Sequence, residues 1–448
     1  MPPRRIEPLR EPIHLDVDGE RIAAREGEPI AVAIAASGRL VLGRSVKYHR
    51  PRGAACYAGR CDGCLMRVDG VQSVMTCRVP AKDGTKVETQ NVIGSARRDL
   101  LAATDWFFPH GMNHHEMFTW NEQVNRMMQK VARRVAGIGR LPDAIEAPRE
   151  PRSREVDVLV VGGGPAGLAA AAACAARGLD VALTEEEAEL GGTLRFWPGG
   201  DTRDRAARLV EAAARAGVAL ERSAPAVGVY DPWEDATGAG DAPGPAPPAR
   251  TEPPVVVVDT ADRLVRYRPR RLVIATGRHL GAAAFGGNDK PGVIDVRGAC
   301  ILLAHGVLPG ERVVLVGEGT LLDALAAALK DAGAEVVGPV PESAIERARG
   351  RPSVTSCDLR EEGGVRRVRC DCVVVAAPSS AVYELAAQAG VRVSWTGTGY
   401  ELEAEASDGA SAAEDVRVVG AAAGVTDLEA AIAQAERAAG AIARELGA

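Results

Sequence analysis

Four of the nine cysteines fall in one short stretch, Cys56, Cys61, Cys64 and Cys77, with the spacing C-x4-C-x2-C-x12-C. A plant-type [2Fe–2S] cluster takes three thiolates from one tight loop and a fourth from further along the chain, and the C-x4-C-x2-C start matches. Gly53, Gly59 and Gly63 sit around the first three cysteines. Lacking Cβ atoms, they let the backbone wrap closely and turn N–H groups toward sulfur. A structural zinc site competes, but zinc ribbons use two separated C-x2-C knuckles, and only Cys61 with Cys64 forms one. Four unligated buried thiols are the remaining reading.

The second constellation is an apolar run, Val158 to Val161, followed by Gly162-Gly163-Gly164-Pro165-Ala166-Gly167 and an Ala-rich stretch. Strand, G-x-G-x-x-G turn and helix form a dinucleotide-binding fingerprint. Gly162 permits the turn, Gly164 lets the backbone approach a pyrophosphate, and Gly167 lets helix and strand pack closely. Pro165 and Ala166 open a helix whose free N–H groups and positive dipole end face the phosphates. The next strand, Val181 to Thr184, ends at Glu185, placed to bond ribose hydroxyls. Two further stretches fit a flavin-type fold: Leu272 to Gly277, with Thr276 and Gly277 returning toward the dinucleotide, and Val416 to Gly424, with Gly420, before a helix from Leu428 to Leu446. In the flavin disulfide-reductase superfamily, which these stretches resemble, the position of Ala421 is usually Asp. The missing Asp weakens FAD as the occupant; FAD is still the expected occupant from the flavin-type fold, with NAD or ATP in the same site as the alternative.

A third motif, Gly317-Glu318-Gly319-Thr320-Leu321-Leu322, has Leu where the third glycine belongs, and the following strand ends at Gly338 without an acid. It predicts a retained dinucleotide fold with little NAD(P)H affinity. The other five cysteines predict packing rather than disulfide chemistry: Cys174 and Cys300 lie on helical segments, Cys370 and Cys372 share one face of a Val-rich strand, and Cys357 stands alone. His110, His114, His115 and Glu116 have no fixed helical or strand spacing and are expected at a surface or interface rather than around a metal. No residue group forms an acid–base or nucleophilic site.

Elements must hold these residues in place. Ile13 to Val17, a turn at Asp18-Gly19 and Arg21 to Ala24 predict a hairpin, Glu28 to Ala36 a short helix, and Leu65 to Val74 a second hairpin around Asp69-Gly70. Apolar and aromatic clusters, Trp106 to Phe108 and Met117 to Trp120, precede a helix predicted over Glu122 to Ala136. Ala147 to Glu155 is Pro-, Arg- and Glu-rich and predicts a linker, and Asp235 to Pro254 a poorly ordered surface loop. From Val156 onward strand and helix alternate as in a doubly wound α/β domain. The 448 residues are 46% hydrophobic and 25% charged, with 54 Lys and Arg against 60 Asp and Glu, which excludes wholesale disorder and speaks against a nucleic-acid partner. No signal peptide or integral membrane segment is read, so a cytoplasmic protein is expected.

The run Arg44-Ser-Val-Lys-Tyr-His-Arg-Pro-Arg-Gly53 resembles the signature at the start of the large (alpha) subunit of heterotetrameric sarcosine oxidase and its relatives. Those relatives are hydrogen cyanide synthase, the opine oxidases and the dye-linked proline and hydroxyproline dehydrogenases. The resemblance continues through Met117-Phe-Thr-Trp120, Ala136-Gly-Ile-Gly139, the fingerprint and Gly420 to Gly424, thus over most of the chain. It implies mixed α/β and α+β architecture: an N-terminal β-grasp ferredoxin-like domain, then a two-lobed Rossmann-type FAD/NAD(P)-binding domain of the disulfide-reductase kind. The expected boundaries are 1–105 for the ferredoxin-like domain and 106–154 for a helical connector. The FAD-type lobe would take 155–288 and 416–448, and the degenerate NAD-like lobe 289–415. Sarcosine oxidase proper is understood to lack these cluster cysteines and to carry a C-terminal folate domain, so the cyanide-synthase and opine-oxidase type is the nearer resemblance. It further implies that a D-amino-acid-oxidase-like flavoprotein beta subunit oxidises the amine or imino acid, that FMN sits at the interface, and that further small subunits join. This chain would relay electrons. A stand-alone NAD(P)H-dependent ferredoxin-type reductase and a non-redox scaffold are the alternatives.

Overall fold

The computed structural model describes residues 3–45, 49–92, 94–96, 99–100, 119–135, 149–230, 254–260, 262–403 and 415–448. They belong to two units, Met1–Ile145 with Ala282–Ala377, and Glu146–Gly281 with Pro378–Ala448.

Two Asp-Gly pairs shape the start of the first unit. Asp18 and Gly19 (φ 54° and 80°) join β1 (Ile13–Val17) to β2 (Glu20–Ala24), and Asp69 and Gly70 (φ 45° and 84°) join β3 (Leu65–Val68) to β4 (Val71–Met75). Positive φ at both central residues gives the twist that two-residue hairpins require. With β5 (Lys86–Glu88) the strands form one sheet in the order β2-β1-β5-β3-β4. β1 and β5 run parallel, while β3 runs antiparallel to β5. Helix α1 (Ile30–Ala36) starts after Pro29 and buries Ile30 through Ala35, because nothing in IAVAIAA is polar. Sheet plus helix is the β-grasp arrangement, and the cysteine loop fills the interval between α1 and β3. Helix α2 spans Glu122–Val135.

In the second unit, β6 (Arg152–Val161) leads through the glycine turn into α3 (Pro165–Ala175), then β7 (Val181–Thr184), α4 (Thr202–Arg215) and β8 (Ala219–Glu221). The antiparallel strands β9 (Ala226–Tyr230) and β10 (Val255–Asp259) precede β11 (Leu264–Ile274). The sheet order is β8-β7-β6-β11-β10-β9, and Val416–Val418 pairs in parallel with β11. Alternation along β6 decides its two faces: Val158 and Val160 pack against α3 and the C-terminal helix, Leu159 and Val161 against the opposite core. That C-terminal helix, Leu428–Leu446, meets α3 through alanines, which let the two backbones approach. The stretch predicted as a linker does not remain one. From Arg152 it is strand, with Arg152–Glu155 opposite Val265–Arg268 of β11. Its charged side chains point mostly to solvent, which is why its composition reads as a linker.

The rest of the first unit is a parallel sheet and an antiparallel one. β12 (Val293–Asp295) leads into α5 (Val296–Ala304), and β13 (Arg312–Gly317) into α6 (Thr320–Asp331) and β14 (Glu335–Val340). β15 (Ile345–Arg349), β16 (Ser356–Glu361) and β17 (Gly364–Arg369) form the antiparallel sheet, and β18 (Cys372–Ala376) returns between β12 and β13. Leu322 is 1% exposed, so the residue that replaces the third glycine is part of the core. Cys357, alone in the sequence, is buried with Cys370 in the core these sheets share. Among the described residues no helix is long and apolar enough to cross a membrane.

Restoring the fingerprint by Leu322→Gly should lower stability by about 4 kcal/mol, the sum of a core cavity and a helical glycine. Urea unfolding measures it; an unchanged midpoint would contradict the packing role of Leu322.

Candidate functional site

The cysteine loop gathers its four thiols as two pairs. Cys56 and Cys61 lie 3.4 Å apart sulfur to sulfur, and so do Cys64 and Cys77. None is in a disulfide; three are buried, while Cys61 is partly exposed. Backbone amides point at the sulfurs. Ala58 and Arg60 donate to Cys56 Sγ at 3.4 and 3.2 Å, and Gly59 donates to Cys77 Sγ at 3.2 Å. Within the first pair the Cys56–Cys61 hydrogen bond, with backbone N–H groups on Cys61, holds the Cys61 thiol well below its usual range and pushes Cys56 up. One thiol of the pair is thereby disposed toward thiolate, the form that binds iron, at the other's expense. No set of three or more such side chains is grouped for a single metal ion among the described residues. Two pairs of thiols ringed by N–H donors are the donor set of a binuclear iron–sulfur cluster, and the residues fit that group.

The loop keeps this shape because neighbouring backbones touch it. A Cβ on Gly63 would stand 1.9 Å from the Gly53 oxygen. Gly53 ends a small hairpin in which Gly43–Arg44 pairs with Pro51–Arg52. A buried cluster pins that hairpin. His49 Nδ1 lies 2.9 Å from Asp99 Oδ2, and Arg44 donates to the carbonyls of His49 and Ala96. Burial pushes the Arg44 guanidinium down, against the opposing charge of Asp99. Sequence reasoning used this run only as a signature and missed His49 and Asp99 as a buried pair. They are fifty residues apart, and no spacing rule links them.

Of the three fingerprint glycines in the second unit, two are tight and one is open. A Cβ on Gly162 (φ 109°) would lie 2.4 Å from the Ala275 oxygen, and one on Gly167 would lie 1.9 Å from the Gly162 oxygen. A Cβ on Gly164 would meet nothing within 4 Å, which leaves room beside the first turn of α3, where Pro165 occupies the first helical position. Glu185 Oε2 accepts the Gly163 N–H at 2.6 Å and Oε1 the Glu187 N–H at 2.8 Å. Burial raises its pKa, and each oxygen retains a lone pair. Ala166 packs beside Gly420 (φ 69°), whose N–H donates to the buried Gln434 at 2.8 Å. The Thr276 hydroxyl donates to the Val382 carbonyl at 2.8 Å, so the fold uses it, while Gly277 (φ 77°) has open space where a Cβ would point. At Ala421 the main-chain oxygen lies 3.5 Å from Arg278 Nη1, and Arg278 is itself clamped by Glu401 and Ser379. Open space at a helix N-terminus, close packing behind it and a carboxylate at the end of the next strand fit a dinucleotide.

Cys174 and Cys300 are buried thiols pushed up to about 12 by desolvation, as packing residues should be. The cluster of His110, His114, His115 and Glu116 lies outside the described residues, as do Val46, Lys47, Tyr48 and the aromatic run from Trp106 to Phe108.

Residues 10–92 match the 2Fe-2S iron-sulfur cluster binding domain family, and residues 157–198 the FAD dependent oxidoreductase family. The chain's cofactors are thus a [2Fe–2S] cluster and FAD. Sarcosine oxidase subunit alpha of Rhizobium meliloti (strain 1021) is 27% identical over all of this chain and 47% of its own length. The chain therefore spans about half the length of that relative. Hydrogen cyanide synthase subunit HcnA of Pseudomonas aeruginosa is 31% identical over 19% of this chain and 83% of its own length. L-proline dehydrogenase from P. horikoshii shares the fold, with a TM-score of 0.72 at 22% identity over all of this chain and 76% of that one.

Substitutions at two glycines should part company. Gly167→Ala should destabilise the second unit by about 3 kcal/mol, because its Cβ has no room. Gly164→Ala should leave stability within about 0.5 kcal/mol yet weaken nucleotide retention at least about tenfold. Chemical unfolding and quantitation of bound nucleotide check both; equal effects of the two variants would contradict the geometry.

Proposed function

The chain belongs to the family of sarcosine oxidase alpha subunits and their hydrogen cyanide synthase and opine oxidase relatives, and from that premise we propose that it is the electron-transfer subunit of a multi-subunit flavin and iron–sulfur dehydrogenase or oxidase acting on amines or imino acids. The observation that carries this reading is the pairing of four thiols in a ferredoxin-type fold within a chain that also holds a glycine-turn dinucleotide cradle. A flavin takes up two electrons together and a [2Fe–2S] cluster passes them singly. The residues we assign to the cluster are Cys56, Cys61, Cys64 and Cys77; those assigned to the dinucleotide are Gly162, Gly164, Pro165, Ala166, Gly167, Glu185, Thr276, Gly277 and Gly420.

Each does a definable job. The amides of Ala58, Gly59 and Arg60 stabilise thiolate charge at Cys56 and Cys77. Gly164 and the first turn of α3 offer N–H groups to a pyrophosphate, and Glu185 offers carboxylate oxygens to ribose hydroxyls. Leu322 stands, buried, where the fingerprint has its third glycine, which argues for a reductant other than free NAD(P)H. The domain limits that go with this reading are 1–105, 106–154, 155–288 with 416–448, and 289–415.

Substrate oxidation is assigned to a partner, a D-amino-acid-oxidase-like flavoprotein, with FMN between the subunits and a cytoplasmic location. Anaerobic stopped-flow spectroscopy tests the assignment. NADH alone should leave the visible bands of the chain unbleached over minutes, whereas an imino acid plus the partner subunit should bleach them. Rapid bleaching by NADH would make the chain a self-sufficient reductase; no bleaching by substrate and partner would make it a scaffold.

Replacing Cys61 by Ser should remove most of the cluster absorption, and an unchanged spectrum would exclude it as a ligand.

A further inference from the structure

The parallel-sheet lobe within residues 282–377 has the form of a dinucleotide fold, with the buried Leu322 in place of the fingerprint's third glycine. One edge of it follows the approach to the cysteine loop residue by residue. Arg52 Nη1 pairs with Asp289 Oδ2 at 2.6 Å. A Cβ on Gly53 would lie 3.1 Å from the Pro291 side chain. The Asp295 N–H donates to the Ala55 carbonyl at 3.0 Å. A Cβ on Gly298 would lie 2.7 Å from the Ala55 oxygen and 3.2 Å from the carbonyl carbon and oxygen of Cys56. Asp295 has two tasks at this point. Its main chain holds the residue before Cys56, while its side chain caps α5 by accepting the Gly298 N–H at 2.6 Å. The cap fixes the first turn of the helix, and that turn is what the loop rests on.

Resting on the assignment of the four cysteines to a cluster, we infer that this lobe is the seat of the cluster loop, with Asp295 and Gly298 as positioning residues for Cys56. Gly298 supplies the absence of a side chain that lets α5 lie against the loop backbone, and Asp295 supplies the cap and the main-chain tether. The loop amides that donate to Cys56 Sγ belong to Ala58 and Arg60, so a displacement of Cys56 would break them. The signature run ending at Gly53 enters the same seam, with its last residue between the Leu40 carbonyl and Pro291.

The full-length chain, loaded anaerobically with iron and sulfide, tests this. The readouts are the rate of iron loss to a chelator and the electron paramagnetic resonance spectrum of the dithionite-reduced protein. Asp295→Ala should lose iron at least tenfold faster than the parent and give a broadened or shifted spectrum. Asp295→Asn, which can still cap the helix, should stay within about twofold of the parent. Gly298→Val should exceed Asp295→Ala on both readouts. Leu322→Ala serves as a control that loosens the same lobe away from the seam; it should leave the spectrum unchanged. Parent-like iron loss and spectra in Asp295→Ala and Gly298→Val would overturn the seat, and so would a spectral change in Leu322→Ala as large as theirs. Failure of the parent chain to hold iron and sulfide would instead overturn the assignment of the four cysteines, and the seat with it.

Discussion

At Gly63 the cysteine loop approaches the carbonyl of Gly53 so closely that a Cβ would stand 1.9 Å from its oxygen, and the glycine turn of the second unit repeats that distance between Gly167 and Gly162. Backbone contact without an intervening side chain is the constraint on which both proposed cofactor sites rest. For the cluster it brings N–H groups within reach of sulfur and lets four thiols meet as two pairs. For the dinucleotide it seats α3 against β6, so that the helix N-terminus opens at Gly164. Replacing either close-packed glycine displaces main chain, which has no rotamer to give way.

The two parallel-sheet lobes differ in whether that constraint is kept. Around Gly162 the third glycine survives as Gly167, and the carboxylate of Glu185 stands beside the turn. Around Gly317 the turn itself is retained, with φ 101° and a Cβ position 2.2 Å from the Ala376 oxygen, but Leu322 fills the third position and joins the core. The fold persists because β13 and its neighbours bury their own apolar residues whether or not a ligand is bound. The missing third glycine is therefore a change at one residue that leaves the architecture intact.

Much of this was legible in the sequence for local reasons. Two Asp-Gly pairs announce their hairpins, because both positions need positive φ. The C-terminal helix runs from Leu428 to Leu446 as predicted, since Asp427 caps its start and Gly447 ends it in a left-handed conformation. The cysteine spacing and the fingerprint were readable because ligand geometry fixes both. Long-range partners were not. Asp295 and Ala55 are distant in sequence, as are His49 and Asp99, and no periodicity connects them. Cys357 read as solitary because the strand that brings it to Cys370 is visible only in three dimensions. The Arg- and Glu-rich start of β6 misled for the opposite reason: a solvated strand has the composition of a linker.

We propose that this chain holds its binuclear iron–sulfur centre on two pairs of thiols. Mössbauer spectroscopy of iron-isotope-enriched protein, with iron and acid-labile sulfide measured on the same sample, tests it most directly. About two irons and two sulfides per chain are expected, both irons in sulfur coordination and the oxidised centre without net spin. A single metal ion per chain, or iron without sulfide, would contradict it.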